Sequence, residues 1–183
     1  MPINIPNIIS IIRILLTPVF VICLMRGLFF PALLVFAVAG ISDALDGLIA
    51  RCFNQRTVLG AYLDPIADKI LLMSAFVSLA VLKIVPGWLT VIVISRDIII
   101  VIGYAVLEIT GTRDKIEIKP SLVSKCTTFA QLLTIFFVLL NPGISTPLAI
   151  KRLYWVTAGL TIASGLHYIY IGMKSLHHAA DDK

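Results

Sequence analysis

Long apolar segments separated by short polar connections dominate this sequence. Of its 183 residues, 59% are hydrophobic, which is well above the share in an ordinary soluble domain. Six segments are each long enough, at roughly 20 residues, to cross a bilayer as a helix. Five of them run approximately over residues 8–25, 29–50, 88–109, 122–140 and 154–173, and one follows residue 57 and ends near residue 82. We therefore predict an all-α, polytopic integral membrane protein with about six transmembrane helices, and a single domain over residues 1–183.

Four of the ten acidic residues fall together, at the end of the second apolar segment and the start of the third. On helices, Asp43 and Asp46 share one face because they are three residues apart, and Asp64 and Asp68 share another because they are four apart. These carboxylates cannot all stay ionised in a low-dielectric setting unless cations balance them, and Arg51 alone is not enough. Ligation by carboxylates alone suits hard ions, so we predict two divalent cations, Mg²⁺ or Mn²⁺, rather than zinc.

Small residues lie between these carboxylates. Gly47, Ala50 and Gly60 leave helix surfaces open to a bulky ligand, and Arg51 offers a planar fork to a phosphate. Buried carboxylates would also suit a cation or proton transporter. Transport favours acidic residues spread along a path, however, whereas these four are clustered at the ends of two helices.

The positive charges indicate how the chain is oriented. Six spans would place both termini on one side of the membrane, together with the loops at 51–57 and 110–121. That side carries most of the lysines and arginines, whereas the opposite loops and helix ends carry Arg26, Lys83, Lys151 and Arg152. The positive-inside rule therefore predicts that the acidic residues and both termini face the cytoplasm, in the cytoplasmic membrane if the source is bacterial. The net charge of +5 indicates contact with anionic lipid and not with nucleic acid.

Two further positions place charge inside apolar segments. Arg96 and Asp97 lie in the middle of the fourth segment, where ionisable residues suggest function. They could instead form a structural salt bridge, although adjacent helical residues point about 100° apart and cannot face each other fully. Arg13 lies in the first segment and either extends to the interface or faces a polar cavity.

The acidic region matches the pattern D-x2-D-G-x2-A-R-x8-G-x3-D-x3-D at all eight fixed positions. It resembles the signature of the CDP-alcohol phosphotransferase family, integral membrane enzymes of phospholipid synthesis. The resemblance implies that two divalent metals, held by the four aspartates, bind the diphosphate of a CDP-linked lipid, and that Asp68 is the general base. It also implies a cytidine diphosphate site formed by Asp46, Gly47, Ala50, Arg51 and Gly60.

The acceptor alcohol follows from a narrower resemblance. The segment from Asn4 to Asn7, with Ser10 and Arg13, is similar to the N-terminus of the phosphatidylglycerophosphate synthase and cardiolipin synthase branch. The phosphate of sn-glycerol 3-phosphate would bind a cationic pocket formed by Arg96 and Lys125 with Arg113, Lys115 or Lys119. We therefore expect CDP-diacylglycerol and glycerol 3-phosphate to give phosphatidylglycerophosphate and CMP.

A second acceptor stays open. Phosphatidylglycerophosphate synthases usually have Arg-Glu where this chain has Arg96-Asp97. The run from Lys119 to Ser121 with Lys125, Thr127, Thr128 and Gln131 resembles eukaryotic-type cardiolipin synthases, which use phosphatidylglycerol as acceptor. The family resemblance also suggests a homodimer.

Overall fold

The computed structural model describes residues 5–52, 58–109, 122–142 and 147–181, with side chains described over 11–42, 66–103, 122–142 and 147–173. These residues form six helices and no strand. The helices are α1 (Ile5–Met25), α2 (Phe29–Cys52), α3 (Val58–Val81), α4 (Gly87–Ile109), α5 (Leu122–Leu140) and α6 (Leu148–Asp181). The predicted all-α fold is therefore confirmed. Helix α6 is longer at both ends than its apolar segment, because charged residues are good helix formers and end the apolar segment without ending the helix.

Two helices within the described ranges are long and apolar enough to cross a membrane, judged by length and composition. They are Leu122–Leu140 and the part of α6 over Leu148–Met173. Two shorter apolar stretches, Ile11–Met25 and Phe29–Ser42, lie in α1 and α2. The number of spans remains the prediction made from the sequence.

Two helices end in the same hydrogen-bonded turn. At the end of α1, Gly27 N–H donates to Leu24 O at 2.9 Å and Leu28 N–H donates to Cys23 O at 2.9 Å. At the end of α3, Lys83 and Ile84 repeat these bonds with Ala80 and Leu79. This Schellman turn requires a left-handed residue, and Gly27 supplies it with φ of 72° while Lys83 adopts φ of 57°. Lys83 therefore bears a strain that glycine avoids.

Backbone contacts divide the chain into two compact units, of which the first comprises Met1–Gly87 and Ile135–Thr146. In this unit α1 packs against both α2 and α3. Phe20 of α1 and Phe36 of α2 are buried with their ring centroids 5.8 Å apart. The two helices that carry the acidic residues are thus held by one common helix. Whether the two units behave as a single domain stays a prediction.

The second unit comprises Trp88–Thr134 and Pro147–Lys183. In it, α5 and α6 meet along a polar seam of six fully buried residues. These are Thr127, Gln131 and Thr134 on α5 and Thr157, Thr161 and Ser164 on α6. The spacing is four and then three residues on both helices, which places each set on one helix face.

Hydrogen bonds across the polar seam show that α5 and α6 run antiparallel. The hydroxyls of Thr134 and Thr157 are 2.8 Å apart, and Gln131 Nε2 donates to Thr161 Oγ1 at 3.4 Å. One turn further, Thr127 Oγ1 donates to the carbonyl of Leu160 at 3.0 Å. Small hydroxylated residues allow close helix packing in lipid, where apolar contact alone gives little preference between partners.

Candidate active site

The four aspartates of the sequence pattern lie on two consecutive helices of the first unit. Asp43 and Asp46 belong to α2, and Asp64 and Asp68 belong to α3. Asp46 lies six residues before the end of α2 and Asp64 six residues after the start of α3, which is about 9 Å along each helix at about 1.5 Å per residue. Asp43 and Asp68 lie nine and ten residues from the same ends, or about 14–15 Å.

Only one of these four side chains is among those described. Asp68 is half-buried, and the residue before it, Ala67, is fully buried. The side chains of Asp43, Asp46 and Asp64 lie outside the described set, and the described side chains form no group of three or more acidic, histidine and cysteine residues. The predicted two-metal site therefore stays a prediction. A set of four carboxylates, with two on each of two consecutive helices, does fit hard divalent cations by its donor chemistry.

The predicted cytidine diphosphate residues belong to the same two helices. Gly47, Ala50 and Arg51 are in the last two turns of α2, and Gly60 is in the first turn of α3. Their side-chain surroundings are outside the described residues. The structure therefore shows only that they lie within a few residues of the aspartates on the same helices. Their roles stay predictions.

Arg13 lies in the interior of the first unit and does not extend to an interface. It is only 1% exposed, and Thr17 Oγ1 donates to its carbonyl at 3.0 Å. Burial favours the alternative in which Arg13 faces the interior, and the polar cavity itself stays a prediction. A buried positive charge thus lies on α1, which packs against α2 and α3, the two helices that contain the aspartates.

In the second unit, Arg96 of α4 is the centre of a buried polar cluster. Its Nη1 is 2.7 Å from Asp97 Oδ1, and both side chains are almost fully buried. Its Nη2 donates to Ser124 Oγ at 2.6 Å and to Ser164 Oγ at 2.9 Å, and its Nε lies 3.3 Å from the same Ser164 oxygen. The salt bridge that the sequence left open as an alternative is present, and it uses one guanidinium nitrogen and one carboxylate oxygen. It can form between adjacent helical residues because the long arginine side chain bends back towards its neighbour.

Two residues of α6 complete the surroundings of Arg96. The guanidinium carbon lies 5.9 Å from the centroid of the Tyr168 ring, within range of a cation–π interaction. Gly165 lies beside the aliphatic stem, and a Cβ at this position would be in ordinary van der Waals contact with Arg96 Cγ at 3.6 Å. Ser124, Ser164 and Tyr168 were missed as functional candidates. For Ser124 and Ser164 the signal was the row of small polar residues at helical spacing in two apolar segments.

The other predicted acceptor residues are only partly described. Lys125 is exposed on α5 and follows Ser124, which contacts Arg96. The backbone of Lys125 therefore lies next to the Arg96 cluster. Arg113, Lys115 and Lys119 lie outside the described residues, and their place near this cluster stays a prediction.

Comparison with known proteins decides the family. The model of the CDP-alcohol phosphatidyltransferase family matches residues 3–165, which is most of the chain. The chain belongs to this family. The resemblance based on the eight fixed residues is therefore confirmed, and with it the prediction of an all-helical integral membrane protein.

Three proteins with different names are similar to this chain. Human cardiolipin synthase (CMP-forming) is 36% identical over 196 residues, covering 98% of this chain and 65% of the human protein. The Escherichia coli K12 protein named CDP-diacylglycerol–glycerol-3-phosphate 3-phosphatidyltransferase is 35% identical over 175 residues, covering 92% and 94%. A probable phosphatidylglycerophosphate synthase of Mycobacterium tuberculosis is 34% identical over 182 residues, covering 94% and 83%. The chain thus spans slightly less than two thirds of the human relative.

Proposed function

We propose that this protein is a CDP-diacylglycerol-dependent phosphatidyltransferase that uses sn-glycerol 3-phosphate as acceptor and releases CMP. The observation that carries the proposal is the complete eight-residue pattern, located on α2 and α3 of a chain that belongs to the family. Membership supports the reaction class, and the relatives from E. coli and M. tuberculosis support the acceptor because the similarity extends over most of their length.

The positions of the aspartates on their helices support a single site. Residues 53–57 connect α2 to α3. Two helices joined by so short a connection usually run antiparallel, and residues equally far from the connection then lie side by side. Asp46 would lie beside Asp64, and Asp43 beside Asp68. Four carboxylates would converge in this way without any side chain leaving its helix face, and they would hold two divalent cations.

The proposed chemistry is displacement at the phosphorus that carries the diacylglycerol. When bound, the two cations would supply the positive charge that offsets the negative charge of the reacting phosphates. Asp68 accepts the proton of the acceptor hydroxyl, and the oxygen of that group forms a bond to phosphorus. The bond from phosphorus to the oxygen of CMP breaks, and CMP leaves with that electron pair. Arg51 and the open surfaces at Gly47, Ala50 and Gly60 hold the cytidine diphosphate.

The Arg96 cluster supports a defined role in acceptor binding. A guanidinium has five N–H donors, and contacts within the described residues use four of them. One N–H on Nη1 is left for a further acceptor. Arg96 would therefore donate a single oriented hydrogen bond to the acceptor phosphate and not a bidentate pair. Lys125, with Arg113, Lys115 or Lys119, would supply the remaining positive charge.

The alternative acceptor is phosphatidylglycerol, which would make the protein a cardiolipin synthase. The human relative supports it with an identity similar to that of the E. coli relative. The two functions are separated by measuring CMP release from CDP-diacylglycerol and Mg²⁺ with either glycerol 3-phosphate or phosphatidylglycerol as sole acceptor. Release with glycerol 3-phosphate supports the proposal, and release with phosphatidylglycerol alone overturns it.

The metal site is tested by Asp64→Asn, with Asp181→Asn as a control that makes the same chemical change outside the pattern. We expect Asp64→Asn to abolish CMP release while the protein is extracted as well as the wild type. We expect Asp181→Asn to retain activity. An active Asp64→Asn variant would contradict the proposed two-metal site, whichever acceptor is used.

Orientation and assembly belong to the same proposal. We place the aspartates on the cytoplasmic side because the loops at 51–57 and 110–121 share that side with most of the positive charges. In a variant whose three native cysteines are replaced, a cysteine introduced at Thr57 should react with a membrane-impermeant maleimide only after the membrane is permeabilised. We also propose a homodimer, which light scattering of the detergent-purified protein would detect as twice the chain mass.

A further inference from the structure

The second unit has a pair of neighbouring tryptophans on its surface. Trp88 is the second residue of α4 and Trp155 lies in the second turn of α6, with ring centroids 5.0 Å apart and planes inclined by 32°. Both remain accessible, since Trp88 is 41% exposed and Trp155 is 71% exposed. Tryptophans near the ends of membrane helices usually lie at the level of the lipid headgroups. The pair therefore indicates where this end of the unit meets the bilayer surface.

Two exposed cations precede Trp155 on the same helix. Lys151 and Arg152 lie four and three residues before it, so both share its side of α6. Both lie early in the helix, where the helix dipole makes positive charge unfavourable. Their position is thus not explained by stabilisation of α6 itself.

No carboxylate in the adjoining sequence balances these cations. The chain contains no aspartate or glutamate between residues 118 and 180, a range that includes all of α5 and nearly all of α6. The sequence also predicts that Lys151 and Arg152 lie on the side that the positive-inside rule depletes of positive charge. An anion from outside the chain is therefore the complementary partner.

We propose that Trp88, Trp155, Lys151 and Arg152 form an interfacial patch that binds the headgroup of an anionic phospholipid. The cations would contact the phosphate diester, and the indole rings would lie against the glycerol and upper acyl region. The patch includes none of the aspartates of the sequence pattern and none of the residues of the Arg96 cluster. It is predicted to face the opposite leaflet from the aspartates, so it binds a structural or regulatory lipid and not the substrate.

The chain provides its own probe for this patch. Trp88 and Trp155 are the only two tryptophans in the sequence, so tryptophan fluorescence reads the interfacial patch alone. The purified protein is placed in phosphatidylcholine nanodiscs, and the quenching by phosphatidylglycerol with brominated acyl chains is compared with that by equally brominated phosphatidylcholine. We expect stronger quenching by the anionic lipid at every mole fraction, and a smaller difference at high salt.

Charge variants connect the selectivity to the two cations. Each cation near an anionic surface contributes about a fivefold preference, so Lys151→Gln and Arg152→Gln should each lower the relative affinity for phosphatidylglycerol about fivefold. The double variant should bind the two lipids equally. Lys151→Arg with Arg152→Lys keeps both charges and should keep the selectivity. Arg26→Gln removes an exposed cation at the end of α1 in the first unit and serves as the matched control.

Two results would overturn the proposal. One is equal quenching of the wild type by the two brominated lipids. The other is selectivity that persists in the double variant at the level of the Arg26→Gln control. If the double variant cannot be purified, the other variants still decide the outcome. The proposal requires a partial loss of lipid selectivity in each single variant and no loss in the charge-preserving variant. CMP release with glycerol 3-phosphate is measured separately, so failure of the patch and failure of the proposed enzyme activity are distinguishable.

Discussion

Replacing Asp97 by asparagine removes the negative charge that faces Arg96 while changing the side-chain volume very little. The two groups are 2.7 Å apart, with side chains 4% and 2% exposed, so water cannot take the place of the lost carboxylate. Arg96 would keep Ser124 and Ser164 as hydrogen-bond partners, but neither serine carries charge. We therefore expect Asp97→Asn to leave a buried cation without its counter-charge.

The size of the effect follows from the geometry. For charge centres about 4 Å apart, at an effective dielectric constant of about 20, the attraction is about 4 kcal/mol. Removing one partner of a buried ion pair costs about 3–5 kcal/mol in measured cases. Asparagine retains an oxygen that can accept from Nη1, which recovers about 1 kcal/mol. The net loss of about 3 kcal/mol corresponds to a fall in Tm of about 6–12 °C for a chain of this size.

The assay measures thermal unfolding of the detergent-purified protein beside CMP release. A double variant, Arg96→Leu with Asp97→Leu, removes both charges and should recover most of the stability, because apolar replacement of a buried pair is often neutral. If Arg96 also binds the acceptor, this double variant should stay inactive with glycerol 3-phosphate despite its recovered Tm. A purely structural pair would instead regain stability and activity together.

A fall in Tm of less than about 2 °C for Asp97→Asn would refute the reasoning. It would mean that the Arg96 guanidinium is already compensated by other groups, or that water reaches it in the folded protein. A double variant less stable than Asp97→Asn would also contradict it, since the uncompensated cation is the assumed cause of the loss.

The remaining predictions concern single contacts and the metal. Ser164→Ala should lower Tm more than Ser124→Ala, because Ser164 is fully buried and accepts from two guanidinium nitrogens; an equal fall would contradict this order. Gly165→Ala should raise Tm by about 2–4 °C, since alanine is favoured in helices by about 1 kcal/mol and its Cβ fits beside Arg96. Lys83→Gly should stabilise by up to about 1 kcal/mol by relieving the left-handed residue after α3, as measured by chemical or thermal unfolding. EDTA should abolish CMP release and added Mg²⁺ should restore it, whereas a zinc-selective chelator should have no effect.

The helices could be predicted from the sequence because apolar length alone demands them in a bilayer. Unsatisfied backbone groups are too costly in lipid for other structures, so the segments at 29–50, 88–109 and 122–140 predicted α2, α4 and α5 to within a few residues. The ends of α6 were missed for the same reason. Lys151 and Arg152 close the apolar segment, but a helix continues wherever its backbone bonds are made.

The aspartates were found from the sequence because their spacing and rarity are local properties. The partners of Arg96 were not, because Ser124 and Ser164 lie 28 and 68 residues away and come together only through helix packing. Asp97 shows a different limit. Helical geometry gives the direction in which a side chain leaves the backbone, but not how far a flexible arginine can turn back.

The polar seam between α5 and α6 has a consequence for how the chain is assembled during synthesis. Helix α5 leaves the ribosome first, and its seam residues Thr127, Gln131 and Thr134 would then face lipid until α6 follows. Exposure to lipid is most costly for the Gln131 amide, since its Nε2 donates a hydrogen bond to Thr161 of α6. The two helices are therefore expected to leave the translocon together as a hairpin. A chain truncated after α5 would expose the amide to lipid and become a target for membrane quality control.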